Sequence, residues 1–124
     1  MNIDWKNICD GRTAIHTPKL DDAIYMYEML KTSYPDAAPK DSGWLRAFWE
    51  QYKDQCCYRF TLGYKEDNTS GSPDYIKYAY CKKEWYEERA PRYRVVEFDS
   101  IFNPDFGQIE SGYLSAADAF AALF

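Results

Sequence analysis

Eight consecutive residues, Cys56 to Gly63, alternate cleanly, with Cys56, Tyr58, Phe60 and Leu62 on one side and Cys57, Arg59 and Thr61 on the other. A period of two is the mark of a strand with one buried face. The run Lys65-Glu66-Asp67-Asn68-Thr69-Ser70-Gly71-Ser72-Pro73 comes next, and then a second alternating stretch, Tyr75 to Cys81, with Ile76, Tyr78 and Tyr80 on one side. Two such stretches around a polar, Gly- and Pro-bearing segment predict a hairpin. A lone hairpin is marginal in water. The rest of the chain must therefore cover its apolar face.

Arg12 to His16 reads as a further short strand. Thr17 is expected to cap a helix, with Pro18 at its first position and Asp21 and Asp22 near its positive end. Leu20, Ala23, Ile24, Tyr27 and Leu30 follow helical spacing, widened by Met26 and Met29, and Pro35 and Pro39 close the segment. Ser42 opens a second helix, with Leu45, Phe48, Trp49 and Tyr52 on one face and Trp44 beside it. Lys82 to Arg89 predicts a short charged helix anchored by Trp85 and stopped by Ala90-Pro91. Tyr93 to Ile101 then reads as the last strand, through Val95, Val96 and Phe98.

This order predicts an α+β fold of the split βαβ, ferredoxin-like kind: an antiparallel sheet with helices on one face, over residues 1–103. Residues 104–124 are expected to form a C-terminal helical extension packed on that core. Asn103-Pro104-Asp105 makes the turn into it, and Ser115 with Asp118 resembles a capping box before Phe120, Leu123 and Phe124.

With 124 residues the chain suits a single domain, and its aromatic content of 19% supplies much apolar area per residue. Charge is unevenly distributed. No Lys, Arg or His follows Arg94, whereas Glu97, Asp99, Asp105, Glu110 and Asp118 do, so the net charge of −5 resides wholly in the last thirty residues. A sequence pI of about 4.8 opposes the phosphate-driven term of nucleic-acid binding. No apolar run reaches membrane-spanning length, and the N-terminal residues lack the charged and apolar regions of a signal peptide. These features lead to the expectation of a cytoplasmic chain, with Cys9, Cys56, Cys57 and Cys81 as reduced, mostly buried thiols.

No motif announces catalysis. His16 is the single histidine, and no nucleophile or carboxylate is placed beside it by sequence, so it is expected to be a hydrogen-bonded structural residue. The cysteine spacing matches no zinc pattern, and Gly11, Gly63, Gly71 and Gly107 make no phosphate cradle. Neither cofactor nor metal is expected. Glu84, Glu87 and Glu88 sit among Lys82, Lys83 and Arg89, as on a solvated helix face. The one basic concentration, Arg89, Arg92 and Arg94 around Tyr93, offers guanidinium forks for phosphate and a ring for a base.

Three strings carry a resemblance across residues 11–102. They are Gly11-Arg12-Thr13-Ala14-Ile15-His16-Thr17, then Trp49-(x)6-Cys56-(x)-Tyr58, and Tyr93-Arg94-Val95-Val96-Glu97-Phe98. Together they resemble small proteins encoded by phages and mobile elements of Gram-positive bacteria, some of which inhibit host defence, anti-CRISPR proteins among them. The resemblance implies a non-enzymatic, stoichiometric inhibitor that docks on the basic nucleic-acid-binding surface of a host defence protein such as a Cas nuclease. Glu97, Asp99, Asp105, Glu110 and Phe106 are the candidate contacts. The alternative is a sponge that sequesters a nucleotide signal through Arg92, Tyr93 and Arg94. The acidic, aromatic tail fits either packing on the open sheet face or packing combined with partner contact.

Overall fold

A computed structural model of the chain describes residues 3–102. The expected helical extension, 104–124, with Asp105, Phe106, Glu110 and the Ser115–Asp118 cap, lies outside the described residues. Within them the elements are α1 (Trp5–Ile8), β1 (Asp10–His16), α2 (Leu20–Ser33), α3 (Gly43–Tyr52), a 3-10 turn (Lys53–Gln55), β2 (Cys56–Gly63), β3 (Tyr75–Lys82), α4 (Lys83–Glu87), β4 (Arg94–Glu97) and α5 (Phe98–Phe102). The class is mixed α and β around one four-stranded open sheet, ordered β3-β2-β1-β4.

The hairpin forms as the alternation predicts. β2 and β3 pair antiparallel from Cys56↔Lys82 to Gly63↔Tyr75, and β1 pairs antiparallel with β2 at Ala14↔Arg59 and His16↔Cys57. The strand order departs from a split βαβ arrangement. That arrangement would separate β1 from β2, whereas here they are neighbours, and β4 runs parallel to β1 from Thr13↔Arg94 to His16↔Glu97. The physical reason lies in the connections. Two helices, not one, join β1 to β2, and together they return the chain to the end it left, where His16 meets Cys57. The β3–β4 connection, in contrast, carries the chain back to the start of β1 through α4 on the other face.

The first face of the sheet carries the core. Ile15, Cys56, Tyr58, Phe60 and Ile76 pack against Trp5 and Ile8 of α1, Ala23, Met26, Tyr27 and Leu30 of α2, Leu45 of α3, and Phe98 and Phe102 of α5. Contrary to the expectation from sequence, the helices do not all keep to that face. α4 roofs part of the second, where Tyr86 closes over Ala14 and Cys57, so β2 is buried on both sides there. The buried anchor of α4 is Tyr86 rather than Trp85, which is half-buried with the Arg89 guanidinium 3.9 Å from its ring centroid.

Two boundaries shift for identifiable reasons. Thr17 does not cap α2. Its backbone N–H and its hydroxyl both donate to Cys56 O, at 3.0 and 3.2 Å, which fixes it to the sheet. The helix begins only at Leu20, after an extended Lys19. The last strand stops at Glu97, because Phe98, Ile101 and Phe102 share one face as a short helix. Phe98 stacks on Phe102 at 4.9 Å, and Phe102 meets Trp5 at 5.8 Å. At the outer edge of β3, Ile76 N–H donates to Ala37 O at 3.1 Å, so the segment after α2 occupies the start of that edge. No helix among the described residues is long and apolar enough to cross a membrane.

Leu30 is fully buried in the first-face core. Leu30→Ala is expected to lower unfolding free energy by about 2–5 kcal/mol, measured by urea denaturation, through lost burial and the cavity left behind. A loss below about 1 kcal/mol would mean that α2 is not held through this face.

Candidate anion-binding site

The first residues of β1 build a strongly charged concavity. Asp10 Oδ1 accepts from Arg12 N at 2.8 Å, Thr13 N at 3.0 Å and Thr13 Oγ1 at 3.0 Å, folding the backbone back around one carboxylate. The turn requires glycine at position 11. Its φ is +80°, and a Cβ there would lie 2.9 Å from Thr61 Oγ1. The register records the result, since Asp10 faces Thr61 and Ala14 faces Arg59, so four steps along β1 match two along β2. This bulge turns Arg12 toward β4.

Arg12 then donates from Nε to Arg92 O at 3.3 Å and from Nη2 to Pro91 O at 3.4 Å. Arg94, opposite Thr13 in the parallel pair, donates from Nε to Thr13 Oγ1 at 2.7 Å and from Nη2 to Asn7 O at 3.0 Å. Asp10 Oδ2 lies 3.9 Å from the same Nη2. Asn7, Asp10, Arg12, Pro91, Arg92 and Arg94 line a cavity of about 320 Å³. Three guanidinium groups and one carboxylate give it a net positive charge inside a chain that is acidic overall.

The sequence therefore indicates the right pair, Arg92 and Arg94, but not their company. Arg89 does not join them. Its guanidinium lies on Trp85, donates to Trp85 O at 2.8 Å and sits 3.8 Å from Glu88. Arg12, Asn7 and Asp10 were not anticipated. The Asp10-Gly11 step is a turn signal that pointed to the bulge, but the parallel pairing that brings Arg12 to Arg92 leaves no local trace. Tyr93 takes a different role from the one expected. Arg59 and Arg92 approach its ring at 4.9 and 5.3 Å, and Trp85 and Tyr86 pack on it at 5.7 and 5.3 Å. These contacts crowd the ring, which is half-buried.

Of the two acidic candidates that are described, Glu97 is exposed and ion-paired, and Asp99 is half-buried. Glu97, last residue of β4, accepts from His16 Nδ1 at 2.7 Å and lies 3.6 Å from Lys83 Nζ. His16 Nε2 meets Asp54 O at 2.6 Å, so the histidine joins the end of β4 to the turn before β2, the structural role its context suggests. Asp99 is half-buried, and its Oδ1 has no hydrogen-bond partner among the described residues. Burial raises its carboxyl above the usual range. Across from it Asp22, on α2, is pushed up to about 6, first by burial and then by the Asp99 charge, with Lys19 opposing.

The four cysteines are free, and Cys9, Cys56 and Cys57 are buried. Burial, reinforced by the Asp10 charge, pushes the Cys9 thiol to about 12, and burial holds that of Cys56 at about 11. Neither suits nucleophilic chemistry. Among the described residues no three His, Cys, Asp or Glu side chains are grouped to hold a metal. Comparison of the chain with protein-family models, with curated proteins and with solved structures finds no match.

Asp22 is protonated more readily in the folded than in the unfolded chain, so it contributes a loss of stability as pH rises from about 4 to about 6. Asp22→Asn is expected to remove that slope. Urea unfolding of both proteins should show the variant gaining on the parent across this interval and holding a constant difference above it. A difference independent of pH would refute the raised carboxyl.

Proposed function

We propose that this protein acts by binding, without covalent chemistry, and that the cleft between β1 and β4 takes the phosphoryl group of a small ligand. The observation that supports it best is the convergence of Arg12, Arg92 and Arg94 on one cavity. Arg92 has no carboxylate within 4 Å among the described residues, whereas Arg12 and Arg94 are braced by carbonyl and hydroxyl acceptors. Braced guanidinium groups lose little freedom on binding, and their forks suit phosphate oxygens. A volume of about 320 Å³ lies at the small end of the range for ligand sites, roughly 300–1,000 Å³. The crowding of Tyr93 favours recognition of the phosphoryl group rather than a stacked base. A sequestered nucleotide would thus be held by its phosphate.

A second reading, the stoichiometric phage-encoded inhibitor of a bacterial defence protein, is favoured by a different observation. Tyr64, Tyr75 and Tyr78 are 44%, 41% and 39% exposed and lie on or beside the edge strand β3. Exposed rings along a sheet edge suit a protein interface better than solvent. The contact surface would then be this edge rather than Glu97 and Asp99, and the partner a host protein such as a Cas nuclease. A cytoplasmic site of action belongs to both readings.

Arg92→Ala separates them, because its exposed side chain makes no side-chain hydrogen bond or ion pair among the described residues and meets only the Tyr93 ring. Calorimetric titration with nucleoside monophosphates is expected to show binding that the variant weakens by about tenfold or more. Inhibition of a purified Cas nuclease unchanged by Arg92→Ala but lost in a Tyr64→Ala, Tyr75→Ala double variant would favour the second reading instead. Titrations without heat in the parent protein would sink the first.

A further inference from the structure

The second face of the sheet is only partly roofed. α4 and Tyr93 cover it around Ala14 and Cys57, and beyond them lies a groove of about 210 Å³ lined by Arg59, Thr61, Lys77, Tyr78 and Ala79. Arg59, Thr61 and Lys77 arrive there by register. Thr61 pairs with Lys77 and Arg59 with Ala79, so the two cations are diagonal neighbours on adjacent strands with the hydroxyl beside them. No carboxylate lines the groove.

Its polar groups are incompletely matched within the protein. Arg59 Nη1 donates to Gly11 O at 3.0 Å and the guanidinium meets the Tyr93 ring and the Tyr86 hydroxyl, but Nε is buried with no hydrogen-bond partner among the described residues. Lys77 has no carboxylate within 4 Å among the described residues, and its Nζ stands 5.9 Å from the Tyr75 ring centroid. Thr61 Oγ1 likewise has no hydrogen-bond partner among them. Two like charges brought this close attract a counter-anion. A buried donor left unmatched costs free energy as well.

We propose that this groove is a second, separate anion site, and that it binds a phosphoryl group. A phosphoryl group carries about −1.5 to −2 at pH 7, matching two cations, and offers three acceptor oxygens for guanidinium, ammonium and hydroxyl donors. A carboxylate would neutralise only one of the two. The volume is below that of a drug-sized site, so the phosphoryl group itself is recognised, whether as free phosphate or as a monoester. The proposal shares no residue with the cleft of Arg12, Arg92 and Arg94 and stands whether or not that cleft binds.

Titration of isotope-labelled Arg92→Ala protein with inorganic phosphate, and separately with glycerol 3-phosphate, tests it by amide chemical shifts. That variant weakens the first cleft, and any shifts from what remains of it fall on Asn7, Arg12 and Arg94, which the groove does not share. Saturable shifts centred on Thr61, Lys77 and Ala79 are expected with one or both titrants, and a response to only one identifies the bound form. Adding Lys77→Ala, at an exposed position, should weaken the response by about tenfold, and Lys77→Arg should restore it. Shifts that do not saturate, that centre elsewhere, or that survive Lys77→Ala undiminished would overturn the assignment.

Discussion

A ring with a polar tip can be buried only where the tip finds a partner, and the first-face core depends on that condition. Tyr58 hydroxyl donates to Leu45 O at 2.6 Å, Trp49 Nε1 to Thr17 O at 2.9 Å, Trp5 Nε1 to Ser33 Oγ at 2.8 Å, and the Tyr27 hydroxyl to Pro39 O. Every one of these bonds joins two different elements. The same side chains that supply apolar area thus fix where α1, α3 and the segment after α2 sit against the sheet. Trp44 is the exception. Its Nε1 is buried without a partner, and the ring is held by stacking on Tyr78 at 4.0 Å and by an edge contact with Tyr27 at 5.8 Å.

Once α1 and β1 are placed in this way, the arginine cleft results from backbone chemistry rather than from the arginines themselves. The Asp10 carboxylate organises the bulge, the bulge turns Arg12 outward, and the parallel register sets Arg94 beside Thr13. Asn7 at the end of α1 closes the arrangement by accepting from Arg94. The cleft is therefore positioned by elements packed in the core, which holds a site more closely than a free loop can.

Local periodicity carried most of the element identities. Alternation from Cys56 to Gly63 and the spacing of Ala23, Met26, Tyr27 and Leu30 report nearest-neighbour geometry, and that geometry survives tertiary packing. What the sequence hid was non-local. Nothing within Arg94–Glu97 says which strand it joins or in which direction, so the parallel pair, and with it the meeting of Arg12 with Arg92, was not readable. Val95 to Ile101 misled for a related reason. A β-branched pair followed by Phe98 reads as strand, yet Phe98 and Phe102 gain more by turning into the gap between α1 and α2. Asp99, counted as surface charge, sits where burial opposes ionisation, a property of depth that a string of letters does not carry.

The hydrogen bond from Ile76 N–H to Ala37 O has a consequence at the scale of many molecules. An edge strand of eight residues with exposed tyrosines is a template on which another chain can add a strand and begin fibre growth. Here the first outward-facing amide of that edge is already taken by the protein's own chain. An arriving strand finds its lead position blocked and must start part-way along, where fewer backbone pairs can form. The in-register stacking that amyloid requires is thereby denied its longest run. The loop after α2, shaped by Pro35 and Pro39, works as a stopper against self-association as well as a connection between helices.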